Sequence, residues 1–446
     1  MNDPSSSGSW NYETALLQRR NEVRTSRFLS ALVILPLLIF SISIWLVRPF
    51  SLGDTFSLTL AAPGLLLIGV LLVRLPRGYV LDRLSAVRFE FALLLLMVAL
   101  SLLSIVNSES PIRSFRIIYP SLLPLTLFAH LLVVGYLAPE RLRQIPMVMI
   151  AGAVVFSMIP ILLATVLPPV KSLIYEEYRA RNGFENSIQH SIALTTIVPL
   201  VVYEFSRARK LTWKVGWAIF LVAFAYTAFR AGSKSAMGVA FLTGVIFYLL
   251  LALQTREFKR ILGVVIGIVF LGAFLWMFGL SIAEKLSPLV AEKIRSIIEG
   301  GVSNYQSIES RQMFWAEAIR QGKAHWLIGT GAGEKVLGVA HSHNLVLDYF
   351  KGIGIFGAAA IALLCLAILL RTGIRALGML RGNTSETEIR GLACFFGASN
   401  YVICSQLSDC FGPSTVGFLW LVFLTGIFLV RSDSDRGGQT QRSISV

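Results

Sequence analysis

The sequence predicts an all-α polytopic membrane protein with about twelve helices crossing the bilayer, each built from roughly 20 apolar residues. Three observations predict it. The 446 residues are 55% hydrophobic and only 15% charged, with a mean hydropathy of +0.70. Apolar runs long enough to span hydrocarbon recur from end to end. Most of the 40 Lys and Arg, set against 25 Asp and Glu, fall in the loops between those runs.

The runs lie near 28–47, 55–73, 89–106, 115–137, 145–168, 189–205, 212–229, 235–253, 261–281, 344–370, 391–409 and 415–430. Residues 1–27 are polar, with Ser5 to Ser9 expected to be disordered, and Arg19, Arg20, Arg24 and Arg27 precede the first run. That run is too long for a signal peptide and lacks a small-residue cleavage site, so it reads as a retained helix with its N-terminus in the cytoplasm. The inner loops then hold Arg74, Arg77, Arg83 and Arg88; Arg141 and Arg143; Arg207, Arg209, Lys210 and Lys214; Arg256, Lys259 and Arg260; and Arg371, Arg375, Arg381 and Arg390. Arg431, Arg436 and Arg442 follow in the tail. Cations favour the cytoplasmic side, so both termini are expected there. The net charge of +15 is then an orientation signal plus attraction to anionic membrane lipids. A nucleic-acid partner has no soluble domain to support it. Cys365, Cys394, Cys404 and Cys410 lie in or beside the last three runs without a CxxC spacing, as small apolar residues do.

One membrane domain covers 1–446, interrupted by a loop at 169–188 and a long outer loop at 282–343. Within the long loop, residues 287–299 place Leu289, Val290, Ile294, Ile297 and Ile298 at helical spacing, ending at Gly300-Gly301. Residues 308–321 give a second helix with Phe314, Trp315, Ala318 and Ile319 together and Gly322 as its stop. Trp315 and Trp326 suit a membrane interface, and the pair of helices reads as a lid on the outer face. Gly329-Thr330-Gly331-Ala332-Gly333 matches neither a dinucleotide fingerprint nor a P-loop and reads first as a connector.

A minority of cations fall on the disfavoured outer side: Arg113, Arg116, Arg179, Arg181, Arg230, Lys234 and Arg311. One such residue is explained by snorkelling to lipid headgroups; the set calls for an anion, such as a lipid-linked phosphate, that an Arg fork can grip with two charge-assisted hydrogen bonds. Arg230 and Lys234 bracket a very short turn and can face one point. His341 and His343 stand where the long loop enters the tenth run, and a neutral imidazole there can take a proton from a hydroxyl. Alone, such a pair is more often a polar helix cap. A zinc site lacks a third ligand of suitable spacing. The acidic pair Asp433 and Asp435 lies in the cytoplasmic tail, so no metal-dependent transfer is expected.

His343-Asn344-Leu345-Val346-Leu347, followed by Gly354-Ile355-Phe356-Gly357, resembles the HNxxL…GxxG signature of the O-antigen ligase and O-antigen polymerase superfamily. Ser310-Arg311 with Trp315, then Gly329-Thr330-Gly331, resembles its Arg-x₃-Trp…GxG segment. Gly232-Ser233-Lys234 resembles its Gly-Ser-Arg turn, with Lys in place of Arg. The likeness covers roughly residues 180–360, and the first half only by topology. It implies a C-type glycosyltransferase-like fold in the bacterial inner membrane, using neither metal nor nucleotide cofactor. It implies transfer of a glycan from undecaprenyl pyrophosphate to a lipid A–core hydroxyl on the periplasmic face. With the residue chemistry, it casts His343 as base for an inverting displacement and Arg230, Lys234 and Arg311 as the pyrophosphate grip. Arg113, Arg116, Arg179, Arg181 and His341 are further candidates for substrate contact. The O-antigen polymerase, a protein O-oligosaccharyltransferase of the same superfamily, and a polyprenyl-lipid flippase are the alternatives.

Overall fold

The computed structural model describes residues 75–111, 123–164, 187–231, 234–259, 306–338, 341–382, 384–406 and 418–431, with short pieces at 34–35, 37–38, 114, 166–167, 175–176, 179–180, 261–263 and 265–267 and single positions 281, 284, 292 and 295. The expected run at 55–73, nearly all of 28–47, most of 261–281 and the loop helix at 287–299 lie outside the described residues.

The described residues are helical almost throughout. Helix α1 (Arg77–Ser85) starts after Pro76, and α2 (Arg88–Ser104) runs on through a 3₁₀ turn to Asn107. Helix α3 (Leu123–Leu137) is followed by α4 (Pro139–Ala164), which opens on a proline, the residue whose missing N–H costs a first turn nothing. Helix α4 carries a π turn at Val154–Met158. A two-residue hairpin, β1 (Tyr175–Glu176) and β2 (Arg179–Ala180), pairs Tyr175 with Ala180 and Glu176 with Arg179. There follow α5 (Ser187–Arg207), α6 (Leu211–Ala231), α7 (Lys234–Gln254), α8 (Gln306–Ala324), α9 (Leu345–Arg381), α10 (Glu386–Ser405) and α11 (Phe418–Arg431).

Five helices among the described residues are long and apolar enough to cross a membrane: Arg88–Asn107, Pro139–Ala164, Leu211–Ala228, Ala236–Gln254 and Leu345–Arg381. Each sits on an expected run. Helices α3 and α11 are shorter apolar helices on two more. Two boundaries differ from expectation. Helix α9 continues past 370 to Arg381, because apolar character ends there while helix-forming residues do not. Helix α10 begins at Glu386, where Ser385 and Glu388 form a reciprocal capping box with hydrogen bonds of 3.1 and 3.0 Å.

At the centre α5 packs on α10, α7, α6 and α4. With α10 it is among the less apolar of these helices, and its Thr195 and Thr196 are buried. Polar groups removed from lipid must pair within the protein. Asn400 Nδ2 donates to the Thr195 carbonyl (2.8 Å), and Thr372 and Ser399 share a hydroxyl–hydroxyl bond of 2.9 Å. Gly397 lets α10 approach until the Thr196 carbonyl occupies the place of a side chain, the close contact that drives helix association where hydrophobicity cannot. Aromatic contacts join the periphery: Phe91 meets Phe128 edge-on at 4.9 Å and Trp420 at 5.9 Å, and Phe128 meets Phe428 at 5.7 Å. Ile219 and Val222 of α6 point away from the bundle, as lipid-facing residues do.

Helix α9 lies along α2, and two contacts act as a ruler. Near one end Arg371 donates to the buried Glu90 Oε1 from Nε (3.0 Å) and Nη2 (2.6 Å). Near the other, Asn107 Nδ2 donates to the Gly329 carbonyl (3.0 Å), in a loop bonded to α9 at Lys351 and Gly352. At 1.5 Å per residue, these contacts lie roughly 26 Å apart along α2 and roughly 29 Å apart along α9, close to the thickness of a bilayer's hydrocarbon core.

Candidate active site

Helix α9 is broken near its start. Ile353 (φ −134°, ψ 16°) and Gly354 (φ 80°, ψ −173°) are non-helical, separating residues 345–352 from 355–381. The second stretch, roughly 40 Å long, is able to cross the bilayer alone, which leaves the first as a short cap at the surface.

A break of this kind frees backbone groups that need partners. The loop after α8 supplies them. Thr330 N–H donates to the Lys351 carbonyl (2.8 Å), Gly331 N–H to Gly352 (3.0 Å), and Ile355 N–H reaches the Trp326 carbonyl (2.8 Å). The fit leaves no room for side chains at Gly329 (φ 72°) or Gly354: a Cβ would collide with the Gly352 backbone in the first case and the Leu327 carbonyl in the second. The expected connector is therefore a docking strand. Its far end is sewn to the end of α2, where Glu334 Oε1 accepts from Ser108 Oγ (2.7 Å) and Ser110 N–H (3.3 Å), and Ser114 Oγ donates to the Ala332 carbonyl (2.7 Å).

Helix α8 lies on this broken segment. Arg311, Trp315, Ala318 and Gly322 follow the i, i+4, i+7, i+11 spacing of one helix face. Ala318 is fully buried, and Gly322 touches the Phe350 ring. The Phe314 ring packs against the His343 ring, with centroids 5.7 Å apart and planes tilted by 50°. Residues 314 to 322 thus run beside 343 to 350 in the same direction. Arg311 stands one turn before Phe314 on the same helix. Trp315 Nε1 is buried and has no acceptor among the described residues. Off this stripe, hydrogen bonds from Arg320 (2.7 Å) and Gln321 (2.8 Å) pull the Glu317 carboxyl down to about 2, so that side of α8 stays charged.

His343 occupies the left-handed region (φ 61°) one residue before the helix. The residues around it are tied down. Asn344 caps α9 by accepting from Leu347 N–H (3.0 Å) and donates to the Gln406 carbonyl (3.3 Å). Buried Ser342 donates its N–H to Asp348 Oδ1 (2.7 Å). Both His341 and His343 are half-buried, as is Arg311.

The Phe314 contact thus brings helix α8, which carries Arg311 one turn earlier, against His343. Arg230 ends α6 and Lys234 opens α7, so their backbones flank one turn, though their side chains lie outside what is described. Strand β2, which carries Arg179, packs on α6. Arg113, Arg116 and Arg181 lie outside the described residues. Sequence reading overlooked Lys351, a charge inside an apolar run and therefore a signal in itself. It also overlooked the contact of Ser157, on the π turn of α4, with His190 of α5, which no helical periodicity announces.

Residues 218–362 match the O-antigen ligase family model, a stretch that takes in Arg230, Lys234, Arg311 and His343. No curated protein matches the chain.

Proposed function

We propose, taking the O-antigen ligase domain of residues 218–362 as the premise, that this membrane protein is a glycosyltransferase moving O-antigen glycan from undecaprenyl pyrophosphate to a lipid A–core hydroxyl on the periplasmic face. In this reading His343 takes the proton of the acceptor hydroxyl as its oxygen attacks the anomeric carbon. The carbon–oxygen bond to the diphosphate breaks, undecaprenyl pyrophosphate leaves, and the configuration inverts. A diphosphate leaving group needs charge neutralisation more than protonation. Arg311, Arg230 and Lys234 fill that need, with the positive end of the α9 dipole adding to it. Arg113, Arg116, Arg179, Arg181 and His341 remain candidates for the acceptor's phosphates or the donor's sugar.

The observation that carries the reading is the Phe314–His343 contact, which sets an arginine-bearing helix over an imidazole at one end of the bundle. That contact supports a base and at least the Arg311 part of an anion grip serving one substrate. The modest outer loop favours the ligase over the polymerase, which uses the same donor. The test is transfer by purified full-length protein, with lipid-linked glycan as donor and rough lipopolysaccharide as acceptor. His343→Ala is expected to lower kcat by about 10²–10⁴ without loss of expression. Undiminished transfer by that variant removes the imidazole from the chemistry, and glycan joined only to carrier-linked glycan marks a polymerase instead.

A further inference from the structure

Two ionic residues in the first turns of α9, a half-buried Asp348 and a buried Lys351, have no part in the reaction just described. Lys351 is 2% exposed, and its Nζ donates to the Glu334 carbonyl. Asp348, one helical turn earlier, accepts the Ser342 N–H at 2.7 Å, and Lys351 and His341 are both within electrostatic reach of its carboxylate. A buried lysine is costly unless its charge is matched. This one serves two elements at once, the docked loop at Glu334 and the carboxylate at Asp348.

The His343 backbone conformation gives that pairing a purpose. A non-glycine residue in the left-handed region persists only where its surroundings over-determine it. Ser342 before it is held by Asp348, and Asn344 after it by the Leu347 N–H and the Gln406 carbonyl. Hydrogen bonds join Ser108 to Glu334, Glu334 to Lys351 and Asp348 to Ser342, and electrostatic attraction links Lys351 to Asp348.

We propose that Asp348 and Lys351 are positioning residues for His343, and that through them the aim of the imidazole depends on the 329–334 loop being docked. The proposal rests on the reading of His343 as base. Asp348 itself touches no substrate. Its removal misplaces the imidazole while leaving the anion grip intact, so the loss falls on kcat rather than on KM.

Steady-state transfer is measured for the wild type, Asp348→Ala, Asp348→Asn, His343→Ala and the His343→Ala/Asp348→Ala pair. Asp348→Ala is expected to lower kcat about 10- to 100-fold, with KM for the donor moving less than about threefold. Asp348→Asn, whose amide oxygen still accepts from Ser342 but no longer matches the Lys351 charge, is expected to fall between the wild type and Asp348→Ala in kcat. The double variant is no slower than His343→Ala. Should Asp348→Ala fail to fold, Asp348→Glu takes its place: it keeps the charge beside Lys351 but lengthens the arm by one methylene, and the same fall in kcat is expected. Wild-type kcat in the Ala or Glu variant, or a loss that persists in the His343→Ala background, overturns the proposal. Wild-type kcat in His343→Ala alone overturns the base assignment instead, so the two failures are separable.

Discussion

The two ends of the bundle are built by different means. At one end arginines meet carboxylates: Arg371 with Glu90, Arg390 with Glu204 at 3.3 Å, Arg207 with Glu386, and Arg431 with Asp82. At the other, the 326–334 loop is bonded to a broken helix through backbone groups, with positive-φ glycines at 329, 331, 333 and 354, and to the end of α2 through a glutamate shared by two serines. Ion pairs between helices hold an end together without shaping a cavity. Irregular backbone held by directional hydrogen bonds fixes a turn in space, which a reaction centre requires. The contrast assigns stability to the first end and chemistry to the second.

That division can be broken in three ways. The largest effect on transfer in this set belongs to Arg311. Loss of a charge-assisted grip worth about 1.5–3 kcal/mol is expected to slow Arg311→Ala roughly 10- to 100-fold, and Arg311→Lys, which keeps the charge without the fork, by much less. Equal losses in the two variants would place Arg311 in packing on α9 rather than in binding. Next comes Gly354→Ala. An L-residue at its φ of 80° and ψ of −173°, a region kept essentially to glycine, costs about 1–3 kcal/mol, and the new Cβ meets the Leu327 carbonyl, so undocking of the 326–334 loop is expected. Limited proteolysis within that loop, alongside a fall in transfer, reads it out; an intact loop with full activity contradicts the docking role. The smallest effect on catalysis belongs to Arg371→Met, which strands the buried Glu90 carboxylate at a cost of about 3 kcal/mol. The melting temperature in detergent should fall while kcat of the folded fraction is unchanged. A matching loss of kcat would mean that the ion-paired end takes part in the reaction.

Much of this could be read from the chain beforehand. Apolar runs located the described helices because lipid demands them, and the outer-side arginines with His343 pointed to a candidate site because charge there needs a reason. The break in α9 was hidden, since apolar residues continue across Ile353 and Gly354 while the compensating donors come from a segment some twenty positions away in sequence. Gly352, Gly354 and Gly357 within one span were the available hint. The extension of α9 to Arg381 was hidden for the opposite reason: hydropathy stops at the membrane boundary and a helix need not. Ser157 and His190 stayed unseen because a π turn shifts register without changing composition.

The most direct test is a structure of the full-length protein with undecaprenyl pyrophosphate bound. The account predicts the diphosphate against the Arg311 guanidinium, with the His343 imidazole facing the side from which an acceptor oxygen would approach. A diphosphate seated away from both residues, or an imidazole turned away from it toward the lipid, would contradict it.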